Sequence, residues 1–145
     1  MEFTTYPIYQ IQIMPIRTEY GLPFPLPLIN GLGPVELLAE RISAIAGRHF
    51  IKGRDFFDLW FLSEIKKAAL DFDLVQKKFN DYQTPDPIGR LQNRMTQFGV
   101  EHIWVEMGQF LPVRYRRQFE KNQYQDILKT SRKIIKGVLR TLGTN

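Results

Sequence analysis

The sequence predicts a mainly α protein in which a short N-terminal β element precedes a bundle of at least four helices. Apolar residues recur at helical spacing in several segments after Pro34. Residues 6–14 instead combine β-branched and aromatic side chains in partial alternation, which is typical of a strand. A length of 145 residues with 43% hydrophobic residues suffices for one buried core. We therefore expect strands and a Pro-rich loop at 1–33 and a helical domain at 34–145.

The N-terminal β element is small. After the strand at 6–14, a second short strand is predicted at Leu26–Ile29, between Pro25 and Asn30-Gly31. The stretch from Gly21 to Pro34 is rich in proline and glycine, which excludes a helix and indicates an extended loop. Two strands alone form a marginal sheet. The chain is therefore expected to borrow a sheet edge from another molecule or to lack its own sheet.

Residues 36–62 predict two helices joined by a polar loop. Pro34 suits the first helical position and Gly47 suits the end, with Leu38, Ile42 and Ile45 as the apolar stripe. Arg41 and Arg48 lie seven residues apart on one side of this helix. The second helix, predicted from Asp55 to about Ile65, is apolar almost all round and is therefore expected to be buried.

Asp55 and Asp58 lie at i and i+3 on one face of the second helix, directly after Arg54. In a purely structural interpretation Asp55 is the N-cap and Asp58 a first-turn acid, and Arg54 or Arg41 pairs with the more buried carboxylate. In a functional interpretation two carboxylates and two or three cations face each other across the hairpin. Such an arrangement would hold phosphates or a nucleophile, and the spacing alone admits both.

Three further helices are predicted downstream of this hairpin. Asp71 or Asp73 caps the first, which runs to about Tyr82. Asp86 as N-cap and Pro87 begin the second. Its two arginines, Arg90 and Arg94, are expected to point outward. Residues 100–111 are apolar enough to predict a third, buried helix that ends before a proline.

The last segment, from about Arg116 to Leu142, predicts one long amphipathic helix. From Arg114 onward the chain has nine Lys and Arg residues and two acids, whereas the rest of the chain carries a net charge of −2. The cations of the polar side are Lys129, Arg132, Lys133, Lys136 and Arg140. They form either a solvated face or a surface that contacts an RNA phosphate backbone.

Composition excludes several classes of site. The chain has no cysteine, which removes disulfides and thiolate metal sites. His49 and His102 are fifty-three residues apart, with no acids at ligand spacing, so no metal site is expected. His49 is instead part of a cationic loop. No run of eighteen apolar residues and no signal-peptide layout is present, so a cytoplasmic protein without membrane contact is expected.

The central hairpin resembles the AbiEii/AbiGii-type toxin nucleotidyltransferases. Members of that family carry a helix with Glu, Leu, Ala, Glu and Lys in this order, then a short loop and the pattern R-D-x-x-D-L. The matching residues here are Glu36, Leu38, Ala39, Glu40 and Arg41, followed by Arg54, Asp55, Asp58 and Leu59. The resemblance covers about residues 30–80, and Arg41 stands where the family usually has lysine.

This resemblance implies the toxin of a toxin–antitoxin, or abortive infection, system that transfers a nucleotide to an acceptor, in some members the 3′ end of tRNA. It implies Mg²⁺ and a nucleoside triphosphate as cofactors, and a cognate antitoxin as partner. Asp58 would lie near the acceptor hydroxyl, Asp55 and Arg54 would orient the pair, and Arg41 would contact nucleotide phosphates. The phosphate-binding candidates are Arg41, Arg48, Lys52 and Arg54.

The family also places a Gly-Ser turn and paired metal-binding acids on early strands. Residues 6–16 hold no carboxylate, and no Gly-Ser dipeptide occurs in the chain. Residues 1–33 would then be the remnant of a nucleotidyltransferase core. The chain would be the C-terminal part of such an enzyme, inactive alone and completed by a missing N-terminal half. The alternative is a non-catalytic helical module that binds RNA or a partner protein and keeps the hairpin as structure.

Overall fold

A two-stranded antiparallel sheet and seven α-helices make up the part of the chain that the computed structural model describes, residues 7–15, 28–108, 111–122 and 124–144. The strands are β1 (Ile11–Pro15) and β2 (Leu28–Leu32). The helices are α1 (Pro34–Gly47), α2 (Gly53–Trp60), α3 (Phe72–Asp81), α4 (Pro87–Gln97), α5 (Val100–Met107), α6 (Val113–Asn122) and α7 (Gln125–Leu142). A π-helical turn at Phe61–Ile65 extends α2. The predicted mainly α fold is confirmed; the division of the chain at residue 33 stays a prediction.

The sheet differs from the predicted strands in its bounds. Ile11 lies opposite Leu32 and Pro15 opposite Leu28. The first strand thus begins at residue 11 rather than 6, and residues 7–10 are not part of it. The second continues through Asn30-Gly31, beyond its predicted end at Ile29, because pairing with β1 outweighs the local turn preference of these residues. The predicted loop over residues 21–27 and the first two residues of the predicted second strand lie outside the described residues.

Helix α2 is central to the bundle and packs against α1, α5 and α7. Its Phe56, Leu59 and Trp60 are buried, as the apolar sequence predicted. The helix begins at Gly53, two residues earlier than expected, after Lys52 as N-cap. A Cβ on Gly53 would overlap the His102 carbonyl oxygen, so α5 approaches α2 closely at a position that only glycine allows. The interpretation of Asp55 as the N-cap is therefore wrong.

The predicted caps of α3 and α4 are confirmed. Asp71 accepts a hydrogen bond from the Leu74 N–H at 3.0 Å. Asp86 accepts one from the Gly89 N–H at 3.1 Å. Each carboxylate satisfies an N–H group that has no partner within its own helix. Both helices therefore start where local sequence signals place them.

The expectation that the two arginines of α4 point outward is wrong. Arg90 donates a hydrogen bond to the Gly47 carbonyl, and Arg94 donates to the carbonyls of Ile45 and Arg48. These acceptors are the last carbonyl groups of α1, which lack partners inside the helix. Cations at a helix C-terminus are also favoured by the helix dipole. The arginines therefore cap α1 from the neighbouring helix.

The C-terminal third contains two further departures. Helix α5 ends at Met107, and its Trp104 and Val105 are exposed, so only one side of the predicted buried helix is buried. The predicted single helix to Leu142 is broken, because Tyr124 adopts a left-handed conformation with φ 63°. The Tyr124 side chain is buried and stacks on Phe119, and this packing holds the chain between α6 and α7.

A buried ion-pair network holds residues 7–10 against the helices. The Lys78 ammonium lies 2.7 Å from carboxylate oxygens of both Glu36 and Glu40, and we name these three residues the Lys78 cluster. Lys78 also donates to the Pro7 carbonyl at 2.9 Å. The Glu36 carboxylate accepts hydrogen bonds from the backbone N–H groups of residues 9 and 10. One ammonium thus faces two carboxylates inside the protein, and backbone N–H groups supply further hydrogen bonds to Glu36.

Candidate functional site

Four of the predicted site residues meet between α1 and α2, and we name Arg41, Arg48, Asp55 and Asp58 the arginine–aspartate cluster. Arg48 Nη1 lies 2.9 Å from Asp55 Oδ2. Arg41 bridges the two acids, with Nη1 at 3.7 Å from Asp55 Oδ1 and Nε at 3.1 Å from Asp58 Oδ2. Both side chains reach α2 because Arg48, the C-cap residue that follows α1, comes seven positions and about two turns after Arg41 and so lies on the same side of the helix.

The four side chains differ in their exposure to water. Asp55 is 1% exposed, whereas the other three are between 26% and 32% exposed. Asp55 is therefore the buried carboxylate that holds both arginines in place. The arginines and Asp58 remain within reach of a ligand that approaches from solvent.

Burial dominates the electrostatics of both carboxylates. It raises the pKa of Asp55 above the ordinary aspartate value, although Arg48 and Arg41 act in the opposite direction. Burial also raises the pKa of Asp58, against the nearby charge of Arg41. Within the described chain, the buried atoms Asp55 Oδ1 and Arg48 Nη1 have no hydrogen-bond partner of good geometry. Both atoms nevertheless lie in ion pairs, 3.7 Å and 2.9 Å from an opposite charge, so charge rather than well-directed hydrogen bonds holds them.

The two other predicted phosphate-binding residues lie beside the cluster. The Arg54 side chain is exposed, and its backbone N–H donates to Glu106 Oε2 at 3.1 Å. Its charge still acts on the Asp55 carboxylate. The Lys52 ammonium lies over the Phe50 ring, 5.3 Å from its centroid. Neither residue forms part of the ion-paired arrangement.

An open cavity of about 510 Å³ runs along α1 beside the cluster. Arg41 and Arg48 both line it. Across the cavity, Tyr82, Thr84 and Pro85 supply a wall from the connection between α3 and α4. The remaining lining residues are Leu32, Leu37, Glu40, Ser43, Ala44 and Gly47.

Sequence spacing gives no sign of the cavity wall that contains Tyr82. Tyr82 donates a hydrogen bond from its hydroxyl to Glu40 Oε2 at 2.6 Å. These two residues are forty-two positions apart, and no local spacing signal connects them. Only the packing of α3 against α1 brings them together.

The carboxylates of the cluster do not fit a Mg²⁺ ion. Magnesium requires near-octahedral oxygen coordination and keeps several waters. Asp55 is almost inaccessible, and both acids already face guanidinium groups within 4 Å. Among the described residues, no group of three or more His, Asp or Glu side chains is arranged to hold a metal ion.

The predicted cationic face of the C-terminal segment lies on α7. All five cations are exposed and line an open groove of about 820 Å³. They are Lys129, Arg132, Lys133, Lys136 and Arg140. Asp126 is the acid among the lining residues, at the N-terminal end of the helix. The groove therefore presents positive charge along most of α7.

Comparison with known proteins identifies a family. The family model described as "Nucleotidyl transferase AbiEii toxin, Type IV TA system" matches residues 1–134. No curated protein and no solved structure matches the chain. No helix in the described ranges has both the length and the apolar character needed to cross a membrane. The resemblance drawn from the central hairpin is thereby confirmed, and the chain belongs to the AbiEii nucleotidyl transferase toxin family of type IV toxin–antitoxin systems.

Proposed function

We propose that the arginine–aspartate cluster binds the reacting phosphates and the acceptor hydroxyl in a nucleotidyltransferase that acts on RNA. The observation that carries the proposal is the pair Arg41 and Arg48. Both guanidinium groups line the cavity, and both are held by one buried carboxylate, Asp55. A guanidinium fixed in this way offers phosphate a pre-oriented set of N–H donors.

The roles of the two acids follow from their exposure. Asp58 is within reach of solvent, and its raised pKa suits a group that accepts a proton from the acceptor 3′-hydroxyl as the oxygen attacks phosphorus. Arg41, 3.1 Å from Asp58, would neutralise charge on the phosphate as pyrophosphate leaves. Asp55 is buried and holds both arginines, which assigns it a positioning role.

We further propose that this chain does not transfer nucleotides by itself. The cofactors that the family implies are Mg²⁺ and a nucleoside triphosphate, and the cluster does not fit the metal. Carboxylates from another polypeptide segment are needed to complete the reaction centre. The family also implies an antitoxin as protein partner, and the acceptor that we propose is a tRNA-like 3′ end.

A labelling experiment tests this proposal. The purified chain is incubated with Mg²⁺, labelled nucleoside triphosphates and RNA, with or without a polypeptide that carries a Gly-Ser turn and paired acids from a relative. We expect label in RNA only with the second polypeptide. Asp58→Asn should abolish that labelling, while the exposed acid variant Asp73→Asn should retain it.

Two outcomes of this experiment would contradict the proposal. Labelling by the chain alone would show that it already contains a complete reaction centre. Labelling that survives Asp58→Asn would remove Asp58 from the reaction. Retention of activity by Asp73→Asn is the control that ties any loss to the cluster rather than to the removal of a charge.

The groove along α7 supports contact with the RNA backbone. Five exposed cations on one helix would neutralise about five phosphates, so log affinity should fall against log salt with a slope of roughly −3.5 for a single strand. Replacement of Lys129, Lys133, Lys136 and Arg140 with Gln should flatten the slope and weaken all RNAs alike. Replacement of the exposed Lys66, Lys67 and Lys77, which lie outside α7, removes three charges; this control should change the slope less.

Filter binding separates the alternatives for this face. If the slope of log affinity against log salt is the same in the α7 variant as in the wild type, the cationic face of α7 does not contact RNA and is only a solvated surface. RNA binding that depends on α7, together with no labelling under any condition, would favour the second function, a non-catalytic helical module that binds RNA.

A further inference from the structure

In the part of the chain that the structure describes, the small sheet exposes apolar side chains to solvent. Every residue of β1 is exposed. Ile11 and Ile13 of β1 are 60% and 67% exposed, and Leu28 of β2 is 67% exposed. Among the described residues the sheet has two strands, which is fewer than a stable sheet needs. We infer that β1 pairs with β1 of a second copy of this chain, which joins the two sheets into one in a homodimer. This inference is independent of the proposed transfer reaction.

The backbone hydrogen bonds of the described residues leave one edge of β1 open. The Gly33 N–H donates to the Gln10 carbonyl at 3.1 Å, so these two residues are a hydrogen-bonded pair. Because such pairs alternate along antiparallel strands, Gln12 also bonds to β2, whereas the backbone groups of Ile11 and Ile13 point away from it. N–H and C=O groups that point away from a sheet are a template for a further strand.

The composition of the strands does not protect this edge from pairing. Natural proteins blunt a free edge with charged side chains, above all lysine, or with proline. The sequence of β1 is IQIMP and that of β2 is LINGL, so neither strand contains a charge. Pro15 stands at the last position of β1, where it limits the length of pairing without preventing it. The outward positions carry isoleucine, a residue that favours strand pairing.

The lack of charge favours a second copy of the chain as the partner. The strands offer no charge that a partner of opposite sign could match, and two copies of β1 meet without repulsion between like charges. The surplus of positive charge that would oppose self-association is concentrated in the C-terminal segment. Its exposed cations lie on α7, which packs against α2, α3 and α4.

The edge of β1 is also held in place before a partner binds. The Tyr9 hydroxyl donates to the Asp81 carboxylate at 2.9 Å. The Glu36 carboxylate accepts hydrogen bonds from the backbone N–H groups of residues 9 and 10. These contacts fix the segment that leads into the strand. Less conformational entropy is therefore lost when a second strand pairs with it.

One register satisfies the outward groups of both copies. Antiparallel pairing with Gln12 opposite Gln12 of the second copy places Ile11 opposite Ile13 of that copy. The N–H and C=O groups of these isoleucines then bond to each other. A register centred on Ile13 would instead place Ile11 opposite Pro15, which has no N–H to donate. Since residues directly opposite share a face, the isoleucines of both copies form one apolar row.

Sedimentation velocity over a concentration series tests the inference with the full chain. We expect reversible dimerisation, because pairing of two short strands is at the low end of interface sizes. Ile13→Pro removes an outward N–H while leaving the bonds to β2, and should weaken dimerisation about tenfold. Asn30→Pro, at the position of β2 opposite Ile13, is the matched control and should dimerise as the wild type does. A wild-type chain that stays monomeric up to about 1 mM would overturn the inference.

A cysteine crosslink tests the register and stays informative if Ile13→Pro does not fold. The chain contains no cysteine, so a single substitution gives one thiol per copy. Gln12→Cys should form a disulfide-linked dimer under mild oxidation, because the Cα atoms of a non-hydrogen-bonded pair lie about 4.5 Å apart, within disulfide reach. Gln10→Cys is the matched control. It would lie opposite Met14 of the second copy and should not crosslink.

Three outcomes of the crosslinking experiment would overturn the inference. Gln12→Cys could crosslink no faster than Gln10→Cys, which would exclude this register. Asn30→Cys could crosslink in place of Gln12→Cys, which would assign the contact to the edge of β2. The Gln12→Cys thiol could be protected from alkylation only by the acid-bearing polypeptide of the labelling experiment, which would then be the partner of β1. Because dimerisation is measured without RNA or nucleotide, its failure leaves the proposed function unaffected.

Discussion

Helix α1 and its C-cap contribute to two charge clusters, which differ in their exposure to solvent and in how fully they are hydrogen-bonded within the protein. In the Lys78 cluster both Lys78 and Glu36 are at most 1% exposed, and backbone groups of residues 7–10 complete their hydrogen bonds. In the arginine–aspartate cluster only Asp55 is buried to that degree. Arg41 and Arg48 are about one-third exposed and border a cavity.

The pKa shifts of the acids follow this difference. Burial acts against ionisation of Glu36, but hydrogen bonds from Lys78 and from the N–H groups of Tyr9 and Gln10 hold its pKa below the ordinary value. Burial acts to lower the pKa of Lys78, but the hydrogen bonds that Lys78 donates to Glu36 and Glu40 raise it. Burial raises the pKa of Asp55, which has arginine neighbours but, within the described ranges, accepts no backbone hydrogen bond.

The comparison shows which kind of cluster is available for binding. A network whose donors and acceptors are all matched internally fixes one structure and offers nothing to a ligand. A network with accessible cations and unmatched polar atoms can exchange a protein partner for a phosphate. Lys78 and Glu36 therefore serve the fold, and the arginine–aspartate cluster is the candidate site; Glu40, the third member of the Lys78 cluster, also lines the cavity.

The largest expected effect is the loss of the buried cation. Lys78→Met leaves the Glu36 carboxylate buried without its partner, which should lower the free energy of unfolding by roughly 3–5 kcal/mol. Urea unfolding measures the loss. The neighbouring Lys77→Met, at an exposed position, should change stability by less than about 0.5 kcal/mol. Equal stability of the two variants would show that the Lys78 cluster is not needed for the fold.

Removal of the buried acid in the other cluster should cost less. Asp55→Ala leaves Arg41 and Arg48, but both are partly exposed and water can replace the lost carboxylate. We expect a loss of about 1.5–3 kcal/mol, the scale of hydrogen bonds to charged groups. Chemical denaturation is the measurement, with Asp73→Ala as the exposed control. A loss as large as that of Lys78→Met would make the two clusters energetically alike.

Asp58→Ala should have the smallest effect on stability. A carboxylate paired with a fully buried cation would cost about 3–5 kcal/mol to remove. Its side chain is 26% exposed and its partner Arg41 32% exposed, which instead predicts about 0.2–1 kcal/mol. Thermal unfolding of the wild type and the variant in parallel checks the value. A loss above about 3 kcal/mol would show that this ion pair behaves as a fully buried one.

The pH dependence of stability should have opposite signs in the two clusters. The pKa of Glu36 is lower in the folded than in the unfolded state. Its ionisation therefore stabilises the fold above the unfolded-state pKa of about 4.5, and this stabilisation is lost as pH falls through the folded-state pKa. The pKa of Asp55 is higher in the folded than in the unfolded state. The pH-dependent stabilisation from its protonated form is therefore full below the unfolded-state pKa of about 3.8 and is lost as pH rises through the folded-state pKa. The measurement is the free energy of unfolding of the wild type minus that of each variant, followed against pH in the acidic range. For Glu36→Gln this difference should rise with pH, and for Asp55→Asn it should fall. Slopes of the same sign would contradict the comparison.

Local signals in the sequence determined most helix starts and one side of the site. Pro34, Asp71 and Asp86 mark helix beginnings because a cap acts within a single turn. Arg41 and Arg48 share a side of α1 because helical periodicity depends only on their spacing. The family was recognisable from the same stretch of chain, and the model match over residues 1–134 confirms it.

Tertiary structure decided what those residues face. Three features join residues more than thirty positions apart in the chain. They are the contact of Tyr82 with Glu40 at the cavity, the Lys78 cluster, and the capping of α1 by Arg94. The break at Tyr124 also depends on burial of its ring against Phe119 rather than on a helix-breaking residue. Sequence periodicity reports which side of an element is apolar. Which element covers that side, and which charges are thereby buried or left open, is set by packing between distant segments.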